Sequence, residues 1–124
     1  MRVLIVDDDE SSCRLLAKVI KRTGAEADWT TDSQSGFARS LQYQYDLYIL
    51  DVQMPGLSGT DFAADLKQQR PGAHILLISA FADYRLQQTA SRLGVSLLSK
   101  PFTPNALIDA TVQALSVCSP RTLP

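Results

Sequence analysis

The residues of this chain best suited to chemistry are polar groups that follow short apolar runs. Asp7 and Asp8 follow the first run, and Asp51, Ser79 and Lys100 follow three later ones. Carboxylates brought close together repel one another unless a cation or a proton neutralises them. Mg²⁺ is a hard ion that binds one or two carboxylates together with water and phosphate oxygens. This set of residues therefore indicates magnesium-assisted chemistry on a phosphoryl group.

The other two polar groups fit the same chemistry. The ammonium group of Lys100 would add positive charge for an incoming phosphate, and the hydroxyl of Ser79 could donate a hydrogen bond to it. An aspartate that attacks phosphorus is an established form of covalent catalysis, in which cations and donors stabilise the moving charge.

These groups can meet only if the apolar runs are strands of one sheet. Four of the runs are continuous instead of alternating, which is typical of strands covered by helices on both faces. They are Val3–Val6, Leu47–Leu50, Ile75–Ile78 and Val95–Leu98. A weaker run, Ala25–Thr30, mixes acidic with apolar residues and predicts an edge strand.

Five helical segments fill the gaps between these strands. Their predicted ranges are about Ser11–Thr23, Ser33–Gln44, Thr60–Gln69, Asp83–Leu93 and Pro104–Leu115. In the second helix, Phe37 and Leu41 are expected to point inward. The alternation predicts an α/β fold with a doubly wound five-stranded parallel sheet, flavodoxin-like order 2-1-3-4-5 and helices on both faces. Ligands of such sheets bind at the carboxyl ends of the strands, where the polar groups would converge.

Composition limits the class of protein. The 124 residues suit one domain, which we place at residues 1–118, with residues 119–124 as a tail or the start of a linker. The net charge of −1 disfavours direct nucleic-acid binding, and no apolar run approaches the roughly 18 residues of a membrane span. Two cysteines far apart in the chain, Cys13 and Cys118, fit reduced thiols and predict a cytoplasmic protein.

Taken in order, these residues resemble the receiver domains of bacterial two-component response regulators over about residues 2 to 116. The resembling pieces are Val6-Asp7-Asp8, Asp46-Leu47, Leu50-Asp51, Met54-Pro55-Gly56, Gly59, Ser79-Ala80 and Lys100-Pro101-Phe102. Each piece alone is a weak signal, but together and at these strand ends they are specific.

The resemblance implies a role for each residue of the site. Asp51 is implied as the phosphoryl acceptor, Ser79 as the switch hydroxyl and Lys100 as the phosphate partner, with a cis Lys100–Pro101 bond. Mg²⁺ is implied as the cofactor, in a metal site made of Asp7, Asp8, Asp51 and the main-chain carbonyl of Gln53. In that site Asp8, Asp51 and the Gln53 carbonyl would be the direct ligands.

The resemblance also implies partners. A histidine kinase or a histidine phosphotransfer protein would donate the phosphoryl group, and an output domain or a target protein would receive the signal. A homodimer could form through the helix 4–strand 5–helix 5 face. The chain would be no enzyme beyond magnesium-dependent self-phosphorylation and autodephosphorylation.

Two departures from the family pattern concern output and not phosphorylation. The family usually carries Tyr or Phe three residues before the lysine, where this chain has Leu97. The stretch between Gly94 and Lys100 is also one residue shorter than the common pattern.

Several alternatives stay open at the level of sequence. A haloacid-dehalogenase-like phosphatase would use Asp7-x-Asp9 with Ser79 and Lys100, although such enzymes normally need a longer chain. A degenerate receiver would act only as an interaction module, and an FMN carrier would need a phosphate loop after the first strand. A basic stripe on the first helix is either a solvated face or a kinase docking surface; it comprises Arg14, Lys18, Lys21 and Arg22.

Overall fold

The computed structural model describes residues 1–116, in which five strands alternate with five helices. The strands are β1 (Arg2–Val6), β2 (Glu26–Thr30), β3 (Leu47–Asp51), β4 (Ile75–Ser79) and β5 (Ser96–Ser99). The helices are α1 (Glu10–Arg22), α2 (Ser33–Gln42), α3 (Gly59–Gln69), α4 (Tyr84–Leu93) and α5 (Pro104–Ser116). The predicted tail at 119–124 and the predicted domain end at 118 lie outside the described residues.

The strands form one parallel sheet in the order β2-β1-β3-β4-β5, as predicted. In this register Val6 pairs with Leu50 at the ends of β1 and β3, and Ser79 pairs with Ser99 at the ends of β4 and β5. The carboxyl ends of these strands therefore meet along one edge of the sheet, where the chain leaves toward each helix.

The two faces of the sheet bury separate cores, because side chains alternate along each strand. Val3 and Ile5 of β1 face a core completed by α1 and α5, whereas Leu4 and Val6 face a core completed by α2, α3 and α4. The side chains on both faces of a central strand must therefore be apolar, which makes the strand a continuous apolar run in the sequence. This is why the strand positions could be predicted.

Capping carboxylates set the starts of two helices about one residue away from the predicted bounds. Asp9 caps α1, where its side chain accepts a hydrogen bond from the Ser11 amide, so α1 begins at Glu10. Asp83 caps α4 through the Leu86 amide and lies outside the helix itself. Caps of this kind satisfy amides that have no partner within the helix.

The prediction that Leu41 points inward is wrong, since this side chain is 44% exposed. The buried face of α2 is made instead by small residues, Ser33, Gly36 and Ser40. A Cβ at Gly36 would lie 2.8 Å from a methyl group of Val6, so α2 packs very close to β1. The face of α2 that packs against β1 is therefore made by small residues, and Leu41 lies outside it.

The two edge strands are less buried than the three central ones. β2 has no fully buried residue, as expected for an edge strand. β5 was predicted to be covered on both faces, but three of its residues are only half-buried and Ser99 is exposed. No helix within residues 1–116 is long and apolar enough to cross a membrane.

Candidate functional site

Three carboxylates converge where β1 and β3 end. Asp7 directly follows β1 and is fully buried, and Asp51 is the last residue of β3 and is 4% exposed. Asp8 is exposed beside them. One oxygen from each of the three side chains lies within 4.8 Å of the others. The sequence-predicted acidic residues are therefore brought together in a geometry that could hold a metal ion.

Lys100 reaches this cluster from the end of β5. Its Nζ lies 3.3 Å from Asp7 Oδ2 and 3.7 Å from Asp51 Oδ2. Its main-chain N–H donates to the Ser79 carbonyl at 2.8 Å, which fixes the start of the side chain against β4. The Lys100–Pro101 peptide bond is cis, as the resemblance implied. A single ammonium group thus contacts both buried carboxylates.

Ser79 ends β4 at the same edge and is fully buried. Its Oγ accepts a hydrogen bond from the Phe81 amide at 3.0 Å. The Phe81 side chain is 72% exposed in the loop before α4. The hydroxyl is therefore engaged with the loop that leaves the site, and a change in its direction would change that loop's hydrogen bonding.

The electrostatics of the cluster favour a cation. The pKa of Asp51 is raised from 3.8 to about 6, first by burial and then by the negative charge of Asp7, while the charge of Lys100 opposes the rise. Three carboxylates face one ammonium group, so their charges are not balanced within the cluster. A hard divalent cation with oxygen ligands would relieve this imbalance, and the donor set fits Mg²⁺.

The loop from Val52 to Ser58 forms the outer wall of the cluster. The Gln53 amide donates to Asp51 Oδ1 at 3.3 Å, while the Gln53 side chain is exposed. At the end of the loop, the Gly59 amide donates to the Val52 carbonyl at 3.0 Å. A Cβ at Gly59 would clash with the Asp51 carbonyl oxygen, so only glycine allows α3 to start this close to β3.

Sequence reasoning missed one residue of this wall. Ser33, at the start of α2, hydrogen-bonds the loop at the Pro55 carbonyl and the Leu57 amide. No local signal identifies this role, because a serine at the first turn of a helix is usually explained by the helix terminus itself.

The Asp9 carboxylate caps α1 and is not part of the acidic cluster. Its carboxylate accepts hydrogen bonds from the Ser11 amide at 3.2 Å and the Ser12 hydroxyl at 3.1 Å. Its amide in turn donates to Asp7 Oδ1 at 3.0 Å. Asp9 therefore caps α1, and its amide holds the Asp7 carboxylate, while Asp7 and Asp8 belong to the acidic cluster.

A surface pocket of about 440 Å³ lies beside Lys100, between α1 and the segment after β5. Leu15 of α1, 58% exposed, and Phe102 give it apolar walls. The predicted basic stripe runs along the exposed part of α1, although Arg14 also pairs with Glu10 at 3.3 Å. An apolar pocket next to a basic helix face is a surface that another protein could contact.

Comparison with known proteins gives consistent matches. The sequence profile of the response regulator receiver domain matches residues 3–112. The uncharacterised transcriptional regulatory protein YbdJ of Bacillus subtilis is 33% identical over 107 residues, which cover 86% of this chain and 47% of YbdJ. The chain spans about half the length of the transcriptional regulators that it matches.

Two solved structures are similar to this chain over nearly their whole length. Chemotaxis protein CheY4 of Vibrio cholerae has a TM-score of 0.85 and 25% identity, covering 91% of this chain and 97% of its own. Response regulator TrrA of Thermotoga maritima, solved in complex with Mg²⁺-BeF, has a TM-score of 0.82 and 27% identity, with the same coverage.

Proposed function

The chain belongs to the response regulator receiver domain family of two-component systems, and on that basis we propose that it is a phosphorylation switch in which Asp51 accepts the phosphoryl group. The observation that carries this proposal is the cluster of Asp7, Asp8 and Asp51 around the ammonium group of Lys100. Asp7 and Asp51 are both buried at a strand end beside Lys100. We take Asp51 as the acceptor because it follows Leu50 and precedes Met54-Pro55-Gly56, as the acceptor of the family does.

In the proposed reaction, a carboxylate oxygen of Asp51 attacks the phosphorus atom of the donor, and the bond from phosphorus to the leaving group breaks. Asp51 must be ionised to attack, and with a pKa of about 6 it is mostly ionised at pH 7. Lys100 pairs with the transferred phosphoryl oxygens, and the Ser79 hydroxyl turns to donate a hydrogen bond to one of them.

Mg²⁺ would be held by Asp8, Asp51 and the Gln53 main-chain carbonyl. Asp7 would complete the acidic pair with Asp8. When bound, the ion neutralises negative charge on the carboxylates and on the phosphoryl oxygens. The complex of TrrA with Mg²⁺-BeF supports the same choice of ion for this chain.

We assign the phosphodonor to a histidine kinase or a histidine phosphotransfer protein that contacts α1. The pocket supports this assignment, since Lys100 lines it and also lies 3.7 Å from Asp51. Of the basic stripe, Arg14 lies near the start of α1, whereas Lys21 lies near Arg2 at the opposite end of β1. An output domain or a target protein would bind the phosphorylated form. A homodimer would form through the α4–β5–α5 face. The chain would act in the cytoplasm.

The alternatives have less support from the geometry. A haloacid-dehalogenase-like phosphatase would need Asp9 for catalysis, but the Asp9 carboxylate is used to begin α1. A degenerate receiver would have lost part of the site, whereas Asp51, Ser79 and Lys100 are all in place at adjoining strand ends. Repeated hydrolysis of small phosphate esters would distinguish a phosphatase from a receiver.

The test is labelling with acetyl phosphate, followed by mass spectrometry of the intact chain. We expect one added phosphoryl group that is absent in Asp51→Asn and absent when Mg²⁺ is chelated. Labelling of Asp51→Asn equal to that of the unmodified chain would reject Asp51 as the acceptor.

A metal titration of two neighbouring variants tests the acidic pair. Asp8→Ala should weaken Mg²⁺ binding strongly because it removes a ligand. Asp9→Ala should leave the affinity nearly unchanged while costing about 1 kcal/mol of stability, because it removes a helix cap. Similar dissociation constants for the two variants would show that the metal site is misassigned.

A further inference from the structure

One buried hydroxyl connects α2 to the wall of the acidic cluster. Ser33 is the first residue of α2 and only 3% exposed. Its hydroxyl donates to the Pro55 carbonyl at 3.2 Å and accepts from the Leu57 amide at 3.3 Å. These two bonds bracket Gly56, which adopts a positive φ of 79° at the tip of the loop. Ser33 therefore closes the turn that follows β3 although it lies on a different helix.

The start of α2 does not need this hydroxyl. Asp32 is the N-cap of α2, and its carboxylate accepts from the Ser35 amide at 3.1 Å and from the Ser35 hydroxyl at 2.6 Å. Since Asp32 already supplies the cap, the Ser33 hydroxyl bonds outside its own helix. Its burial matters as well, because water cannot easily replace a hydrogen bond lost at a buried position.

The contacted loop carries the expected main-chain ligand. Near Asp51 the loop is held by the Val52 amide, which donates to the Ile78 carbonyl at 2.9 Å. Farther out, Met54 is buried in the core between the sheet and α2–α3. Gln53 lies between these two points, and the Ser33 hydroxyl holds the part of the loop beyond Met54. Met54 alone separates Gln53 from Pro55, so a shift of the outer part reaches Gln53 when the Met54 backbone shifts with it.

We propose that Ser33 is a positioning residue for the metal site, which fixes the turn at Pro55–Leu57 so that the Gln53 carbonyl stays directed at the cation. Mg²⁺ demands near-ideal octahedral geometry, so a ligand on a loosened loop binds it less well. Contacts behind a metal ligand regularly tune affinity in this way. This inference rests on the proposed function, because the Gln53 carbonyl matters only if Mg²⁺ binds at this cluster.

Calorimetric titration of the full chain with Mg²⁺ tests the inference, comparing Ser33→Ala with Ser35→Ala. Both variants remove a serine hydroxyl from the first turn of α2, but Ser35 is exposed and bonds only to Asp32 in the contacts described above. We expect Ser33→Ala to raise the dissociation constant about three- to tenfold, and Ser35→Ala to leave it near that of the unmodified chain. Ser33→Gly, which removes the hydroxyl together with the Cβ, should also raise the dissociation constant.

Two further readouts separate positioning from a purely structural role. The Leu57 amide should exchange its hydrogen faster in Ser33→Ala, because that amide loses its acceptor. The rate of phosphorylation by acetyl phosphate should recover at saturating Mg²⁺, since the defect lies in ion affinity. A variant that is less stable but binds Mg²⁺ as Ser35→Ala does would overturn the inference alone. An unmodified chain that binds no Mg²⁺ would overturn the metal part of the proposed function and this inference with it.

Discussion

Asp51 illustrates the conflict between stability and function at the scale of one residue. Burial and the neighbouring Asp7 both disfavour its ionised form, and they raise its pKa to about 6. The acceptor must nevertheless be ionised to attack phosphorus. Lys100, 3.7 Å away, offsets part of the penalty. The site is therefore held in a state that a bound cation would stabilise.

This conflict predicts how stability depends on pH when Mg²⁺ is absent. Because the folded pKa is about 6 and the unfolded value is near 3.8, the folded state binds a proton more tightly between these values. The contribution of Asp51 to stability is therefore fully present below about pH 4 and is lost as pH rises through 6. Asp51→Asn removes the penalty and should be more stable than the unmodified chain at pH 7, by about 1–3 kcal/mol.

Urea unfolding of both proteins in chelator between pH 4 and pH 7.5 measures the effect. The difference in the free energy of unfolding should shrink toward zero as the pH falls to 4. A difference that is the same at both ends of the range would contradict the raised pKa of Asp51.

At the scale of elements, the junction between β3 and α3 sets the shape of the site. Gly59 begins α3 directly against the Asp51 carbonyl, and its amide bonds back to Val52. A side chain there would push α3 away from the strand that carries the acceptor. The closeness of these two elements thus depends on the absence of a single methyl group.

We therefore expect Gly59→Ala to be destabilising by about 1–3 kcal/mol, because its Cβ would clash with rigid backbone instead of a flexible side chain. Gly72→Ala is the matched control, since a Cβ at Gly72 would meet nothing within 4 Å. Its effect should stay within about 0.5 kcal/mol. Chemical denaturation of both variants gives the comparison, and equal stabilities would show that α3 can shift without cost.

At the scale of the whole molecule, the question is which elements change when the site is phosphorylated. A ligand shifts a population only through contacts that differ between the two states. The Ser79 hydroxyl accepts from the Phe81 amide, so its movement toward a phosphoryl group must alter the loop before α4. Leu97 on β5 is already partly buried against the α2–α4 core and has no hydroxyl to exchange between environments.

Phosphorylation should therefore change the loop Ala80–Asp83 more than the α4–β5–α5 face. Amide hydrogen exchange with and without beryllofluoride, a mimic of the phosphoryl group, measures both regions in one experiment. The largest change is expected at the Phe81 amide. Changes confined to β5 and α5, with none between Ala80 and Asp83, would show that Leu97 transmits the switch after all.

The sequence by itself determined the order of strands and helices and the candidate site. Continuous apolar runs mark central strands because both faces of the sheet must be buried, and polar residues directly after them can lie only at the carboxyl edge. Asp7, Asp51, Ser79 and Lys100 were found in this way, and the structure brings them to that edge.

Tertiary structure alone decided the contacts made between elements that are distant in the chain. Leu41 is exposed although the helix pattern placed it inward, because the buried face of α2 is made by small residues such as Gly36, which lies close to Val6 of β1. The bond from Ser33 to the loop after β3 joins residues more than twenty positions apart. Local periodicity reports which side of an element is buried, but the depth and partner of each contact depend on how the elements pack together.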